Sequence, residues 1–283
     1  MVRDDLDLSI IIPINNEELN IKGFYKELTE NLNPIKKYEI IYVDDGSKDK
    51  SFELLSSIAK KDKKVKILKL ITNYGQTVAI RAGLDISKGN KIIVMDGDGQ
   101  HNPKYIRDFY KKLDYYDVVC NYRLNRRKKS TAIGNFLVRN LFKVKYKDSI
   151  GGMKGLRKQV KDNVYLYGNL HRYLPLLAEW KGFRVGEQQI ILRKRNAGVS
   201  KYHPIKGFKG LIDLLTVKFF VSYSSRPSHI FGSAGLFSLG IGGISLFFLI
   251  LRRLFFGASI GNSLPMFLLS ILLVLLGFNF VFF

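Results

Sequence analysis

Residues 91–100, Lys-Ile-Ile-Val-Met-Asp-Gly-Asp-Gly-Gln, join a short apolar run to a pair of carboxylates. A run this short and rich in Ile and Val is typical of a strand buried on both faces. Asp96 and Asp98 are two residues apart, so on extended chain their side chains point to the same side. Paired carboxylates suit a hard divalent cation, whereas Asp-Gly repeats also occur in turns. Taken alone, this stretch predicts either a metal site or a turn.

Three further apolar runs, at 8–13, 39–43 and 65–70, precede helix-like stretches at 18–32, 50–61 and 76–87. This alternation predicts a doubly wound α/β domain with a mostly parallel sheet. Ligands of such sheets bind at the carboxyl ends of the strands. Those ends are the polar segments 13–17, 44–47 and 96–100. In the second, Asp44 is expected to accept hydrogen bonds from a base or ribose, while Ser47 could equally cap the next helix.

The charge of the chain is concentrated before residue 228. The 283 residues carry a net charge of +22, and Arg252 and Arg253 are the only charged residues after 227. The first 227 residues therefore hold 44 basic and 24 acidic side chains, a net +20, which should attract polyanions such as phosphates, anionic lipid or nucleic acid. No nucleic-acid-binding signature accompanies this charge, and the single Cys120 excludes an internal disulfide framework.

The last eighty residues predict membrane attachment. Apolar residues recur at helical spacing over 205–223, between lysines, which suits either an interfacial helix or an ordinary core helix. Two uncharged stretches follow, with spans expected at about 229–251 and 263–283. The expected domains are therefore 1–204 (the basic α/β domain), 205–227 (amphipathic) and 228–283 (two spans). No apolar signal region opens the chain, so the basic domain is expected on the cytoplasmic side of the cell membrane, with Arg252 and Arg253 in the loop between the spans.

Five motifs in order resemble the signatures of family 2 glycosyltransferases with the GT-A fold. They are Pro-Ile-Asn-Asn-Glu-Glu at 13–18, Val-Asp-Asp-Gly-Ser at 43–47, Asn-Tyr-Gly-Gln at 73–76 with Arg-Ala-Gly-Leu at 81–84, Asp-Gly-Asp-Gly-Gln at 96–100, and Arg-Asn-Ala-Gly-Val-Ser-Lys-Tyr at 195–202. The last looks like the Arg-x-x-Gly-x-Ser-Lys-Tyr motif of the dolichol-phosphate mannose synthase and polyprenyl-phosphate glycosyltransferase branch. Two positions depart from that branch. Asn15 replaces a tyrosine, which weakens stacking on the base, and Gly99 replaces a leucine, which should loosen the loop.

The resemblance implies a role for each matching residue. Asp98 and Arg195 are expected to be catalytic, and Mg²⁺ or Mn²⁺ is expected on Asp96, Asp98 and Gln100. The nucleotide sugar is expected to contact Pro13, Asn15, Glu17, Asp44, Gln76, Asp96, Ser200 and Lys201. Arg123, Arg126, Arg127 and Arg139 are expected to meet an acceptor phosphate, although any one of them could instead belong to a solvated charged face.

The activity implied is transfer of a hexose, with inversion, from GDP-mannose or a UDP-sugar to dolichyl or polyprenyl phosphate. A lipid phosphate is already ionised near neutral pH, so no strong general base is required. The four histidines, 101, 171, 203 and 229, are scattered along the chain and are expected to be structural.

Expected partners are the nucleotide sugar, the lipid phosphate, membrane lipid and a second copy of the chain, and not nucleic acid. A different lipid or polysaccharide acceptor and a non-catalytic polyanion-binding membrane protein are the alternatives. A processive synthase would need a Gln-x-x-Arg-Trp motif, and the only tryptophan, Trp180, lies in Glu-Trp-Lys.

Overall fold

The computed structural model describes residues 6–125, 129–148, 150–166, 168–193, 206–223, 228–257 and 263–282. It divides into two compact units, Met1–Val217 and Lys218–Phe283. The first unit is built on a seven-stranded sheet. Its strands are β1 (Leu8–Ile14), β2 (Tyr38–Asp44), β3 (Val65–Lys69), β4 (Lys91–Val94), β5 (Val118–Arg123), β6 (Lys154–Arg157) and β7 (Val185–Ile190).

The strand order is β3-β2-β1-β4-β6-β5-β7, and β6 runs antiparallel to both of its neighbours, β4 and β5. All other strand pairs are parallel, which confirms the predicted α/β class with a mostly parallel sheet. The helices are α1 (Glu18–Leu32), α2 (Ser51–Lys61), α3 (Gln76–Ile86), α4 (Ile106–Lys112), α5 (Lys129–Phe142), α6 (Lys158–Asn163), α7 (Leu174–Trp180), α8 (Lys206–Tyr223), α9 (Ser228–Phe256) and α10 (Leu264–Phe282).

The predicted strands and helices of the first hundred residues agree with the structure to within one residue at each end. The prediction that β3 is buried on both faces is wrong. β3 is an edge strand, and Val65 is its only fully buried residue, because no strand covers its outer side. The segment 117–202 contributes β5, β6 and β7 to the same sheet.

Strand β1 is buried along almost its whole length because it lies between two parallel neighbours and under helices on its faces. Ile10, Ile12 and Ile14 join the main core with Phe24 of α1 and Phe109 of α4. On the other face, Gly83 lets α3 approach closely. A Cβ added at this glycine would lie 2.5 Å from Cγ2 of Ile11. Burial of each such side chain contributes roughly 1.5–3 kcal/mol to folding.

Helix α8 confirms the predicted helix, and its apolar residues divide between two faces. Leu214 and Val217 are buried, whereas Ile212 and Leu215, which belong to the predicted apolar stripe, are about half exposed. These two residues of the predicted stripe are therefore not on the face that packs inside the protein.

In the second unit, α9 and α10 form a closely packed antiparallel hairpin. The Oγ of Ser238 donates to the carbonyl of Leu273 at 2.7 Å, and the hydroxyls of Ser270 and Ser245 are 2.7 Å apart. Small residues at the contact allow the backbones to come this close. Residues Phe231–Phe256 and Leu264–Phe282 are each long and apolar enough to cross a membrane.

The first of these helices is longer than the predicted span. Arg252 and Arg253 were predicted to lie in the connecting loop, and that prediction is wrong: both lie within the last turns of this helix. The helix continues because Leu254, Phe255 and Phe256 maintain the apolar sequence and no helix breaker precedes Gly257. Arg252 reaches Ser263 at the start of the second helix, with 3.0 Å between Nη1 and Oγ.

Adjacent glycines of α9 provide a test of the hairpin. A Cβ at Gly242 would lie 2.9 Å from the carbonyl oxygen of Ser270, whereas a Cβ at Gly243 would meet nothing within 4 Å. We expect Gly242→Val to weaken the hairpin by about 1–3 kcal/mol through overpacking, and Gly243→Val to leave it intact. The readout is disulfide formation in a Ser245→Cys/Ser270→Cys background, because those hydroxyls already touch. Equal cross-linking in both valine variants would contradict this packing.

Candidate donor-binding cleft

A cleft of about 390 Å³ lies at the carboxyl ends of β1, β2 and β4, where a parallel sheet is expected to bind its ligand. The structure brings together six of the predicted site residues in its wall: Pro13, Asn15, Glu17, Gln76, Asp96 and Asp98. The remainder of the wall is formed by Ile14, Asp45, Asn73, Gly75 and Gly97.

The two carboxylates after β4 are held by different neighbours. Oδ1 of Asp96 accepts a hydrogen bond from Nε2 of Gln76 at 2.6 Å. Oδ1 of Asp98 accepts from the backbone N–H of Gln100 at 3.0 Å. Gln100 is not among the residues that line the cleft, and its backbone N–H and carbonyl both form hydrogen bonds. Two carboxylates in one open cleft form a donor set of the kind that Mg²⁺ or Mn²⁺ prefers, with positions left for phosphate oxygens.

Glycines allow the loop of these carboxylates to take its shape. A Cβ at Gly97 would lie 2.3 Å from Cδ1 of Ile14, so the loop crosses directly over the end of β1. Gly99 has a φ of +74°, in the left-handed region that leucine rarely adopts. The glycine that departs from the related motif therefore suits this backbone turn.

After β2 the structure distinguishes two neighbouring aspartates. Asp44 is fully buried, whereas Asp45 is among the residues of the cleft wall. The contact of Asp44 with the nucleotide stays a prediction. Oδ1 of Asp44 accepts from the N–H of Ser47 at 3.0 Å. The carboxylate of Asp45 accepts from the N–H groups of Tyr74 at 2.8 Å and Gly75 at 2.9 Å. Asp45 thereby fixes the segment that begins α3.

The loops after β1 and β2 are tied to each other. Nδ2 of Asn15 donates to the carbonyl of Asp45 at 2.7 Å. Asn16 adopts a φ of +54°, and its N–H donates to Oγ of Ser47 at 3.0 Å, while its Oδ1 accepts from the N–H of Lys48 at 2.7 Å. Ser47 therefore joins two loops, and the cap predicted as its alternative role is not made.

His101, which was expected to be structural, lies next to the site. Its ring is almost fully buried, and its Nδ1 lies 3.6 Å from Oδ2 of Asp96. Gly152 packs against both groups, because a Cβ there would lie 2.3 Å from that oxygen. Burial lowers the pKa of His101, and the charges of Arg123 and Lys154 lower it further against the opposing effect of Asp96. The imidazole is therefore neutral near pH 7. The sequence feature that could have identified His101 as part of the site is its position directly after Gln100.

The other histidines differ in their surroundings. His171 is buried, and its Nδ1 lies 2.5 Å from Oγ1 of Thr77, which fits the predicted structural role. His229 is exposed, and His203 lies outside the described residues.

The predicted acceptor arginines are not alike. Arg123 forms a two-point pair with Asp148, with Nε to Oδ2 at 2.6 Å and Nη2 to Oδ1 at 2.9 Å. Since both side chains are largely buried, this guanidinium is engaged within the protein. Arg139 is exposed on α5. Arg126 and Arg127 lie outside the described residues, as do Arg195, Ser200 and Lys201 of the predicted closing loop.

A buried lysine lies among the charged groups behind the cleft. Lys154 is 4% exposed and donates to the carbonyl of Gly151. Burial lowers the pKa of Lys154 to about 8; the negative charges of Asp96 and Asp148 oppose this shift, and Arg123 adds to it.

Comparison with known proteins now defines the class. Residues 9–164 match the sequence family described as glycosyl transferase family 2. The dodecaprenyl-phosphate galacturonate synthase of Rhizobium johnstonii is 32% identical over 285 residues, which cover 95% of this chain and 83% of that protein. An undecaprenyl-phosphate 4-deoxy-4-formamido-L-arabinose transferase of Pseudomonas fluorescens is 28% identical, covering 97% of this chain and 82% of that protein.

Solved structures agree on the fold. The mannosyltransferase PcManGT from Pyrobaculum calidifontis, in complex with GDP-Man and Mn²⁺, gives a TM-score of 0.57 at 14% identity, covering 76% of this chain and 63% of that one. Glucosyl-3-phosphoglycerate synthase from Mycobacterium tuberculosis, with Mn²⁺ and UDP, gives 0.57 at 15% identity, covering 76% and 79%. The chain belongs to glycosyltransferase family 2: it is an enzyme with a GT-A catalytic fold followed by two apolar C-terminal helices.

The buried amine of Lys154 predicts that the free energy of unfolding rises as the pH becomes alkaline. Its ordinary pKa of 10.5 falls to about 8 in the folded protein, so between these values the unfolded chain binds more protons and stability rises with pH. We expect the stability of the full chain relative to its Lys154→Met variant to increase by on the order of 2–3 kcal/mol from pH 7 to pH 10.5. Urea unfolding in detergent, followed by the fluorescence of Trp180, measures this difference. A difference independent of pH would contradict the lowered pKa.

Proposed function

We propose that this enzyme transfers a sugar from a nucleoside diphosphate sugar to a polyprenyl or dolichyl phosphate at the membrane surface. The observation that carries the proposal is one chain with an acidic cleft at the strand ends and two helices able to cross a membrane. Relatives named for dodecaprenyl-phosphate and undecaprenyl-phosphate sugar transfer cover nearly the whole chain and support the same acceptor class. We assign catalysis to residues 1–204, with an amphipathic segment at 205–227 and the spans within 228–283.

For the donor, we assign the nucleoside to the cleft wall formed by Pro13, Asn15, Glu17 and Asp45, and the diphosphate to Asp96 and Asp98. GDP-mannose and UDP-sugars remain the two candidate donors. Mg²⁺ or Mn²⁺ held by the two carboxylates would neutralise charge on the leaving diphosphate. Gln76 fixes the orientation of Asp96 through its amide, and the Gln100 N–H fixes that of Asp98. Neutral His101 keeps a further charge away from Asp96.

For the reaction, we infer a single in-line displacement with inversion. An oxygen of the lipid phosphate forms the new bond to the anomeric carbon while the bond to the nucleoside diphosphate breaks, and the diphosphate leaves with the electron pair. The nucleophile is already anionic, so no residue has to remove a proton from it. Arg195 is assigned to the charge that grows on the leaving group, and Ser200 and Lys201 to the donor phosphates.

For the acceptor, we assign the lipid phosphate to Arg126, Arg127 and Arg139, and we leave out Arg123 because Asp148 already engages it. The net charge of +20 before residue 228 favours the cytoplasmic side for the catalytic unit. On that side, a lipid phosphate can reach the enzyme while its tail stays in the bilayer.

The cation assignment predicts the behaviour of Asp98→Ala. We expect this variant to lose Mn²⁺-dependent nucleotide binding and at least about 10²-fold in turnover, since one of two carboxylate ligands is removed without disturbing the core. The measurement is the increase in melting temperature of the full chain with GDP or UDP, with and without Mn²⁺. Asp114→Ala, which removes an exposed carboxylate near the opposite end of β4, is the matched control. Full activity in EDTA would sink the metal assignment.

The acceptor assignment predicts the product. Labelled sugar should pass from an α-linked donor to a short polyprenyl phosphate in detergent, and NMR should show a β-linked lipid phosphosugar. Replacement of Arg126 and Arg127 together should raise the KM for the lipid about tenfold or more with little change in nucleotide binding. An α-linked product, or equally efficient transfer to the corresponding neutral alcohol, would overturn the proposal.

A further inference from the structure

The three residues that follow β7 form a junction between distant parts of the first unit. Each backbone N–H of Ile191–Arg193 donates to a different element. The N–H of Ile191 donates to the hydroxyl of Tyr105 at 3.1 Å. The N–H of Leu192 donates to Oδ1 of Asn125 at 3.0 Å. The N–H of Arg193 donates to the carbonyl of Gln100 at 3.0 Å. The segment is therefore fixed to the start of α4, to the end of β5 and to the carboxylate loop.

The bond to β5 continues the sheet by means of a side chain. The β5–β7 ladder ends with the pair of Arg123 and Ile190. One step further, the amide of Asn125 both accepts from the N–H of Leu192 and donates to its carbonyl at 2.8 Å. This two-point contact replaces the backbone pairing that the sheet no longer provides, so the position of residue 192 is set by β5.

The side chain of Arg193 adds a fourth attachment, to α1. Its Nη1 and Nη2 donate to Oε2 and Oε1 of Glu27 at 2.8 and 2.6 Å. Both side chains are about one-third exposed, so solvent screens the pair and its contribution to overall stability is small. The two parallel bonds nevertheless fix the direction of the guanidinium. They thereby also restrain the backbone of Arg193, whose N–H donates to the carbonyl of Gln100.

Gln100 is hydrogen-bonded on both sides of its own backbone. Its carbonyl accepts from Arg193, and its N–H donates to Oδ1 of Asp98. The geometry points to a new role: we propose that Arg193, held by Glu27, is a positioning residue that fixes the Asp98 carboxylate for the donor cation. This inference rests on the proposed function, in which Asp98 binds that cation.

The magnitude follows from the behaviour of metal sites in general. Loss of a group that orients a metal ligand typically lowers metal affinity by about 10–100-fold. The effect here should lie near the lower limit, because the N–H of residue 193 remains available in any non-proline variant. Within the part of the chain that the structure describes, the side chain of Arg193 pairs with Glu27 and does not line the cleft, so its loss should act through Asp98 and not through the nucleotide.

The test is a Mn²⁺ titration of nucleotide binding and of turnover with the full chain in detergent. We expect Arg193→Leu and Glu27→Gln each to raise the half-saturating Mn²⁺ concentration about tenfold, with turnover at saturating Mn²⁺ largely retained. The exchanged pair Glu27→Arg/Arg193→Glu should recover most of the loss. Asp114→Asn removes the charge from an ion pair with Lys91 near the opposite end of β4 and should leave the Mn²⁺ midpoint unchanged.

The outcomes separate this inference from the proposed function. A lowered melting temperature with an unchanged Mn²⁺ midpoint in Arg193→Leu would show that the pair merely stabilises the fold, and the inference would be wrong. Failure of the exchanged pair to recover the midpoint would also overturn it. A wild-type protein that binds nucleotide without any response to Mn²⁺ would instead refute the cation assignment itself.

Discussion

Parallel pairing of β1 with β2 on one side and with β4 on the other determines where every cleft residue lies. The register joins Ile14 to Asp44 and Ile11 to Val94, so three polar segments leave the sheet at the same edge. The strands can pair in this way because their side chains are apolar on both faces and the helices cover them. A change of register by one residue would turn these side chains to the opposite faces, and the carboxylates would no longer meet the loop of Asn15.

From that edge, hydrogen bonds pass from one loop to the next. Asp45 follows β2 and accepts from the N–H of Gly75, which has a φ of +93° and precedes α3. The first residue of this helix, Gln76, holds Asp96 at the end of β4. The end of β2 therefore orients a carboxylate two strands away. Polar loop residues form this connection, whereas the apolar core keeps its endpoints at a fixed separation, and neither is sufficient without the other.

The sequence predicts the parts of the molecule that depend on local pattern. β1 to β4 and their helices follow from continuous apolar runs, and Asp96 and Asp98 follow from their spacing after a strand. β6 and β7 do not follow from such runs, because Lys154–Arg157 and Val185–Ile190 contain charged, amide or glycine residues in their place. Asp44 and Asp45 could not be distinguished, since which of two neighbours faces the cleft depends on where the strand ends.

Other parts depend on contacts between residues far apart in the chain. His101 lies one residue beyond a recognised motif, yet its burial depends on Gly152 fifty residues later. The pairing of Arg123, a predicted acceptor residue, with Asp148 is likewise a contact that spacing does not reveal. The roles of Arg126, Arg127, Arg195, Ser200 and Lys201 stay predictions, because these residues lie outside the part of the chain that the structure describes.

Polar groups behind the cleft depart from the rule that a buried group is hydrogen-bonded. Among the described residues, both ring nitrogens of His101 and both amide atoms of Asn121 are buried without a hydrogen-bond partner, and Lys154 is nearly inaccessible. Such groups destabilise a fold, and a well-packed apolar cluster could occupy the same volume. His101 and Lys154 both interact with Asp96, at the end of an otherwise apolar strand, which fits the general tendency of proteins to relax packing rules where a charged ligand must be bound. The core of the sheet thus changes from apolar to polar within a few residues of β4, where Asp96 and Asp98 line the cleft.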